Sequence, residues 1–159
     1  MKNELERTLA IIKPDGIKNI TQIIRMIYKS GLKISKHKIR KLDEEILAEH
    51  YSHLIDKPFY PELEQFMLSG PVVPMIVYGE DAVSKVRTII GPTNVKKAKE
   101  ESPESIRAIY GDVENASANI VHASDSPENA LIEIKRFFGK DMEQPSNCKV
   151  KCLFKSTIL

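Results

Sequence analysis

The residue in this chain best suited to carry a transferred group is His122, in the run Asn119-Ile-Val-His-Ala-Ser-Asp-Ser126. Ile120 and Val121 deliver it to what reads as the end of a strand. Ser124, Asp125 and Ser126 are helix-starting residues, and Pro127 fits the first helical position, where its missing N–H would be unpaired anyway. The open N-terminus of such a helix presents unpaired N–H groups and partial positive charge, which suit an anion. An imidazole titrates near neutral pH, so His122 can act as an unprotonated nucleophile and give covalent catalysis in two half-reactions. If the group carried were phosphoryl, the N–P bond would be labile enough to pass it on again. Three cations and a hydroxyl are candidates for holding such an anion: Lys13 after the first apolar run, Arg87 and Thr93 near the end of a helix, and Arg107 in a polar stretch. Arginine offers paired planar donors that match phosphate oxygens, whereas lysine offers a movable point charge. The glycine-rich signatures G-x-x-x-x-G-K-[ST] and G-x-G-x-x-G do not occur, so any phosphate must be held by side chains. Glu133, directly or through Ser124, is placed to orient the imidazole. Each residue also has a plain reading: a structural histidine, a solvated lysine, an arginine offsetting a helix dipole, a salt-bridged glutamate. Their convergence on one chemistry argues for a site.

The elements that must position them follow from pattern. Arg7-Thr-Leu-Ala-Ile-Ile12 reads as a buried strand. Lys13-Pro-Asp-Gly16 ends it in a turn and keeps the backbone beside Lys13 non-helical. Ile20, Ile23, Ile24 and Ile27 recur at helical spacing up to Gly31. A second strand begins at Leu32 and runs through the basic stretch Lys36–Lys41, read as a solvated face or edge. Asp43 caps a helix bearing Ile46, Leu47, Tyr51 and Leu54. Lys57-Pro-Phe-Tyr-Pro61 breaks it and Pro61 starts another, giving a helical hairpin whose corner exposes Phe59 and Tyr60 as a lid or stacking surface. Val72–Val77 is a third strand, placed at an edge or bulge by Pro74. Asp81 caps a helix that turns Ala82, Val83, Val86, Ile89 and Ile90 inward. Residues 94–118 show little periodicity and read as a long exposed loop, pinned at Arg107 by Ile106 and Tyr110. The last helix buries Ala130, Leu131, Ile134, Phe137 and Phe138, with Glu133 at the margin of that face. This βαββαβ order predicts an α+β fold: a ferredoxin-like four-stranded antiparallel sheet with helices on one face.

Bulk properties exclude some functions. The 159 residues fit one domain, with 24 Lys plus Arg against 22 Asp plus Glu, so net charge gives no broad case for nucleic acid. The basic stretch lacks interleaved aromatics to stack bases. No apolar run approaches the ~18 residues of a membrane span, and the N-terminus lacks a signal-peptide core. Cys148 and Cys152 are expected as free thiols in a reducing cytosol rather than as a disulfide or a zinc site.

Four segments, Ile12-Lys-Pro-Asp-Gly16, Ser69-Gly-Pro-Val-Val73, Gly91-Pro-Thr-Asn94 and Asn119–Ser126, resemble the nucleoside diphosphate kinases. The resemblance runs from about Arg7 to Phe138. It implies transfer of the terminal phosphate of a nucleoside triphosphate such as ATP to a nucleoside diphosphate, by a ping-pong mechanism through phosphohistidine at His122. By the same resemblance Lys13, Tyr51, Arg87, Thr93, Arg107 and Asn119 contact phosphates or sugar hydroxyls. Phe59 stacks on the base with Leu63 near it, and Ser124 with Glu133 supports the histidine. Mg2+ held mainly by the nucleotide's phosphates is implied as cofactor, and a cytoplasmic homo-oligomer is expected as the working form, with no membrane partner; a nucleic-acid partner is possible but is not predicted. The chain departs from the usual pattern after Gly16, where the segment is short. It departs again between Thr93 and His122, where it is longer, with Ser117-Ala118 before the asparagine in place of Gly-Arg. That altered loop and the basic strand keep a second reading open, a catalytically weak member acting as an interaction or nucleic-acid-binding module. Residues 1–139 are expected to form the catalytic domain and 140–159 a C-terminal extension.

Overall fold

The computed structural model describes residues 5–139; the expectation for 140–159 lies outside the described residues. The chain forms strand β1 (Glu6–Ile12), helix α1 (Ile20–Lys29), strand β2 (Lys33–His37), the hairpin of α2 (Glu44–His50) and α3 (Tyr60–Leu68), strand β3 (Val73–Gly79), helices α4 (Ala82–Ile90), α5 (Val95–Glu101) and α6 (Ile106–Tyr110), strand β4 (Val121–Ala123) and helix α7 (Pro127–Phe138). The strands form one antiparallel sheet in the order β2-β3-β1-β4. The expected α+β, ferredoxin-like class is therefore the observed one.

Helices cover both faces of that sheet rather than one. In β1, Ala10 and Ile12 join Ile23 and Ile27 of α1 and Val86 and Ile90 of α4 on one side. Leu9 and Ile11 join Leu47 of α2, Met67 of α3 and Ile134 and Phe137 of α7 on the other. Leu9, Ala10, Ile11 and Ile12 are all fully buried. A strand packed on both faces has no solvent side to alternate with, which is why its sequence is an unbroken apolar run.

Several local expectations are corrected. Pro74 lies in β3, an interior strand, and pairs in register with Ile11 of β1. It is tolerated because its carbonyl, and so its missing N–H, faces the β2 side just beyond the end of that strand, where Lys38 N–H still donates to the Pro74 carbonyl at 3.2 Å. β2 itself is an exposed edge strand, as the basic stretch suggested. The backbone after Lys13 is helical after all: Pro14–Asn19 forms a 3-10 turn. Asp81 stands at the start of α4 with φ 52° and makes no side-chain cap. Glu6 Oε2 instead accepts from Val83 N–H at 2.7 Å, so a carboxylate from β1 serves the helix N-terminus. Residues 94–118 are not one loop. Asn94 and Ser105 cap α5 and α6 by accepting from Lys97 N–H and Ala108 N–H. Tyr60 is buried in the first turn of α3 while Phe59 stays 51% exposed, and Leu131, one residue round the helix from Ala130, points outward. No helix among the described residues is long and apolar enough to cross a membrane.

Candidate active site

A cleft of about 530 Å³ opens between the α2–α3 hairpin and the loops that end β1 and precede β4. Its lining includes Lys13, Tyr51, Phe59, Leu63, Arg87, Thr93, Arg107, Asn119 and His122, so residues from five separate stretches of sequence meet there. Glu133 and Ser124 stand behind His122 rather than in the cleft. No residue of α7 lines it, and Ser126 Oγ occupies the helix's N-terminus by accepting from Asn129 N–H at 3.1 Å. The expected role of that helix end as an anion seat is therefore not what the fold provides; side-chain cations line the space instead.

The histidine is fixed from behind. His122 Nε2 lies 3.1 Å from Glu133 Oε2, and Ser124 Oγ donates to the same carboxylate oxygen at 2.6 Å. Burial pushes the Glu133 carboxyl up. The hydrogen bond and charge of His122 and the Ser124 hydroxyl outweigh it, leaving Glu133 below its ordinary value and hence ionised. An ionised carboxylate can only accept, so Nε2 carries the proton and the lone pair of the neutral ring is on Nδ1. Tyr51 is nearly buried, with its ring 6.2 Å from that of His122. Burial, then the charge of Glu133, raise its phenol well above the ordinary range, so it stays protonated.

The cations are unusual in being buried without carboxylate partners. Lys13 is 5% exposed and Arg107 8% exposed, and neither forms an ion pair among the described residues. Lys13 Nζ donates to Asn119 Oδ1 at 2.7 Å and to the Ser117 carbonyl at 3.2 Å. Arg107 donates from Nε to the Asn119 carbonyl, from one terminal nitrogen to Gly91 and from the other to Val121. Each terminal nitrogen keeps one N–H uncommitted. Burial, followed by the positive charge of Arg107, lowers Lys13 to about 8, with Asp15 opposing; burial and then Arg87 lower Arg107 to about 10. Buried charge outside an ion pair is costly, and here it lines an open cleft that an anion can enter.

The turn before His122 explains the Lys-Pro-Asp-Gly motif. Ile120 has φ 73°, and Val121 N–H donates to the Asn119 carbonyl at 2.8 Å, closing a tight γ-turn on a β-branched residue. Asp15 Oδ2 accepts from Ile120 N–H at 3.1 Å, and Lys13 N–H donates to the Ile120 carbonyl at 2.8 Å. Gly16 packs so close that an added Cβ would lie 2.9 Å from that carbonyl. Asn119 completes the tie, its amide donating to the Thr93 carbonyl at 3.1 Å.

Sequence reasoning missed three contributors. Asp15 was part of a motif but had no assigned contact. Glu62 lines the cleft one turn after Phe59, and its spacing was an available signal. His50 packs its ring 4.5 Å from that of His122. One oxygen or nitrogen each of His50, His122 and Glu133 lies within 4.8 Å of the others. That trio is not a ready metal cage, because Arg136 approaches His50 Nδ1 at 3.1 Å and leaves the proton on Nε2.

A family model described as "Nucleoside diphosphate kinase" matches residues 6–142. Curated relatives bearing that name include one from Streptococcus agalactiae, 41% identical over 85% of this chain and 99% of its own length. Another, from Chlamydia trachomatis, is 45% identical over 86% of this chain and 94% of its own. Among solved structures, the nucleoside diphosphate kinase of Encephalitozoon cuniculi superposes with a TM-score of 0.82 at 41% identity, covering 91% of this chain and 96% of that one. That of Halobacterium salinarum, solved in complex with CDP, gives 0.79 at 36% identity over 87% and 90%.

Proposed function

The chain belongs to the nucleoside diphosphate kinase family, and on that premise we propose how its residues move the terminal phosphate of a nucleoside triphosphate to a nucleoside diphosphate. The enzyme class is that of the family; the assignment of steps to side chains is the proposal. The base of the nucleotide stacks on Phe59 beside Leu63 at the mouth of the cleft, with its phosphates running inward to Lys13, Arg87, Thr93 and Arg107. Tyr51 and Asn119 contact phosphate or sugar oxygens. His122 Nδ1 attacks the terminal phosphorus. An N–P bond forms, the P–O bond to the preceding phosphate breaks, and the diphosphate leaves with that oxygen. The ring, still bound through Nε2–H to Glu133, takes on positive charge that the carboxylate offsets. Charge spreading over the transferring phosphoryl oxygens is met by the cations. In the second half-reaction a terminal phosphate oxygen of the incoming diphosphate attacks the phosphohistidine and restores the neutral imidazole.

The observation that carries this reading is the pair of buried cations, neither in an ion pair among the described residues, that line one cleft with His122. A relative solved with CDP supports a nucleoside diphosphate as occupant of the cleft. Mg2+ is the proposed cofactor. It keeps most of its waters and takes one or two carboxylates plus substrate phosphates. The described lining fits that habit, since Glu62 is its single carboxylate and the rest is neutral or basic. When bound, Mg2+ neutralises charge on the bridging phosphates. We further read residues 1–139 as the catalytic domain, the cytosol as its place of work, and assembly with further copies as its working form. Exposed Ile39, Ile109 and Val113 would be covered by such assembly. The reading as a weak member acting as an interaction or nucleic-acid module is not favoured.

The test is incubation with γ-labelled ATP. Acid-labile label on His122 and ping-pong kinetics with several diphosphates are expected. Label that persists in His122→Ala would refute the assignment.

A further inference from the structure

We infer that His50 is a positioning residue that holds the ring of His122, and that Arg136 locks His50 in the form that does so. The inference deepens the phosphohistidine reading and rests on it. His50 is the last residue of α2 and is 5% exposed. Its ring meets those of His122 at 4.5 Å, Tyr51 at 4.7 Å and Phe137 at 5.1 Å, all edge to face. Packing alone would be served as well by phenylalanine. Two observations give the imidazole a chemical role. Arg136 reaches His50 Nδ1 at 3.1 Å, and a guanidinium can only donate, so Nδ1 is the acceptor and Nε2 holds the proton. That Nε2–H is buried with no hydrogen-bond partner among the described residues, on a ring packed nearly perpendicular to those of His122, Tyr51 and Phe137. Such edge-to-face packing is an attraction of defined geometry. Burial is the chief cause that keeps His50 neutral; positive charge on His122, when that ring carries it, and on Arg136 acts the same way, and Glu133 opposes.

The arrangement supplies something Glu133 cannot. A single hydrogen bond to Nε2 fixes one point of the His122 ring and leaves the ring plane free to swing about it. In-line attack needs Nδ1 aimed at phosphorus, and misplacement of a reacting atom by an ångström is expensive. A rigid neighbour packed at right angles removes the swing. Arg136 is itself tied to α2, its Nε 3.1 Å from Glu49 Oε1. Glu133 and Arg136 lie one turn apart on α7. One helix thus supplies both restraints on the nucleophile, Glu133 at its edge and, through Arg136 and His50, a wall against its ring.

The experiment compares the full-length protein with Arg136→Met and His50→Gln. Single-turnover labelling by ATP gives the phosphorylation rate, equilibrium binding gives nucleotide affinity, and nitrogen-15 spectra of the unliganded protein give the His122 tautomer. In both variants phosphorylation should slow by roughly tenfold or more while affinity stays within about twofold, and the single Nε2–H form of His122 should give way to a mixture. Arg136→Met keeps the aliphatic stem and the ring cluster, so it decides the matter if His50→Gln does not fold. Unchanged rates, or an unchanged tautomer, would overturn the inference and leave phosphohistidine chemistry intact. Absence of label on His122 in the parent protein would instead overturn the reading beneath it.

Discussion

Lys13 should couple nucleotide binding to proton uptake. The residue is 5% exposed, and its amine, near enough to feel the charge of Arg107, is lowered from 10.5 to about 8, chiefly by burial. A lowering of that size corresponds to roughly 3 kcal/mol of interaction that a polyphosphate beside the amine can recover. Bound nucleotide restores the protonated form, so above the free-state value the complex holds more protons than the free protein, and affinity falls as pH rises. At pH 8 about half of the free protein has neutral Lys13, so binding should take up about half a proton per site. By pH 9 affinity should be about tenfold weaker than at pH 7. Calorimetry of diphosphate binding in buffers of different ionisation enthalpy reads the proton count directly, with Lys13→Met as the control for phosphate titration. Uptake of no proton at pH 8, or the same uptake in Lys13→Met, would refute the reasoning.

Other residues give sharper separations of rate, affinity and stability. Glu133→Gln removes the charge that offsets the phosphorylated ring, so phosphorylation measured by rapid quench should fall about tenfold or more with nucleotide affinity retained; parent-like rates would remove that role. Phe59→Ala should raise KM by roughly tenfold with kcat little changed, since stacking is worth about 1–3 kcal/mol per base; a steady KM would exclude stacking there. Arg107→Ala strands the carbonyls of Gly91, Asn119 and Val121, so it should lose about 1–3 kcal/mol in urea unfolding and lower kcat more than affinity. Gly16→Ala places a methyl 2.8 Å from Ile12 Cγ2 and 2.9 Å from the Ile120 carbonyl, and should destabilise by about 1–3 kcal/mol; an unchanged urea midpoint would show that the turn has slack.

What could be read in advance was what short-range signals carry. The apolar run of β1, the isoleucine spacing of α1, the cap at Asp43 and the helix-starting run Ser124–Ser126 each announce their element within a few residues; the Asp43 cap forms as expected, and Ser126 is the member of its run that caps α7. The helices α5 and α6 were missed because they hold seven and five residues. One or two turns bury too few side chains, here Val95 and Ala98 or Ile106 and Ala108, to set up a period. Their caps, Asn94 and Ser105, were the usable signal. Pro74 misled because a proline reports which donor is missing, and only the partner strand decides whether the donor was wanted. Phe59 and Tyr60 are adjacent yet face opposite ways, a fact fixed by where α3 begins. The contact of Arg136 with His50 spans 86 positions and joins ordinary surface-type residues of two helices, so nothing local marks it.

The strained turn at Ile120 ties these observations together. A β-branched residue at φ 73° costs about 1–3 kcal/mol and persists only where its surroundings leave no alternative. Here both backbone groups of Ile120 and the carbonyl before it are committed. Asp15 takes its N–H, Lys13 N–H takes its carbonyl, and the Asn119 carbonyl receives both Val121 N–H and Arg107 Nε. The Asn119 side chain binds Lys13 Nζ on one side and the Thr93 carbonyl on the other. With each such bond worth about 1 kcal/mol net, and more where a charge is involved, the set outweighs the strain. The bonds also fix geometry, since the turn that aims His122 is held by Lys13 and Arg107 themselves. Two like charges that would otherwise separate are both tied to Asn119, Lys13 to its side chain and Arg107 to its carbonyl, and line the same cleft. Relaxing the turn would release the histidine and both cations together, and isoleucine rather than glycine stands there because its side chain, 1% exposed, is buried in the core with Ile12 and Val121.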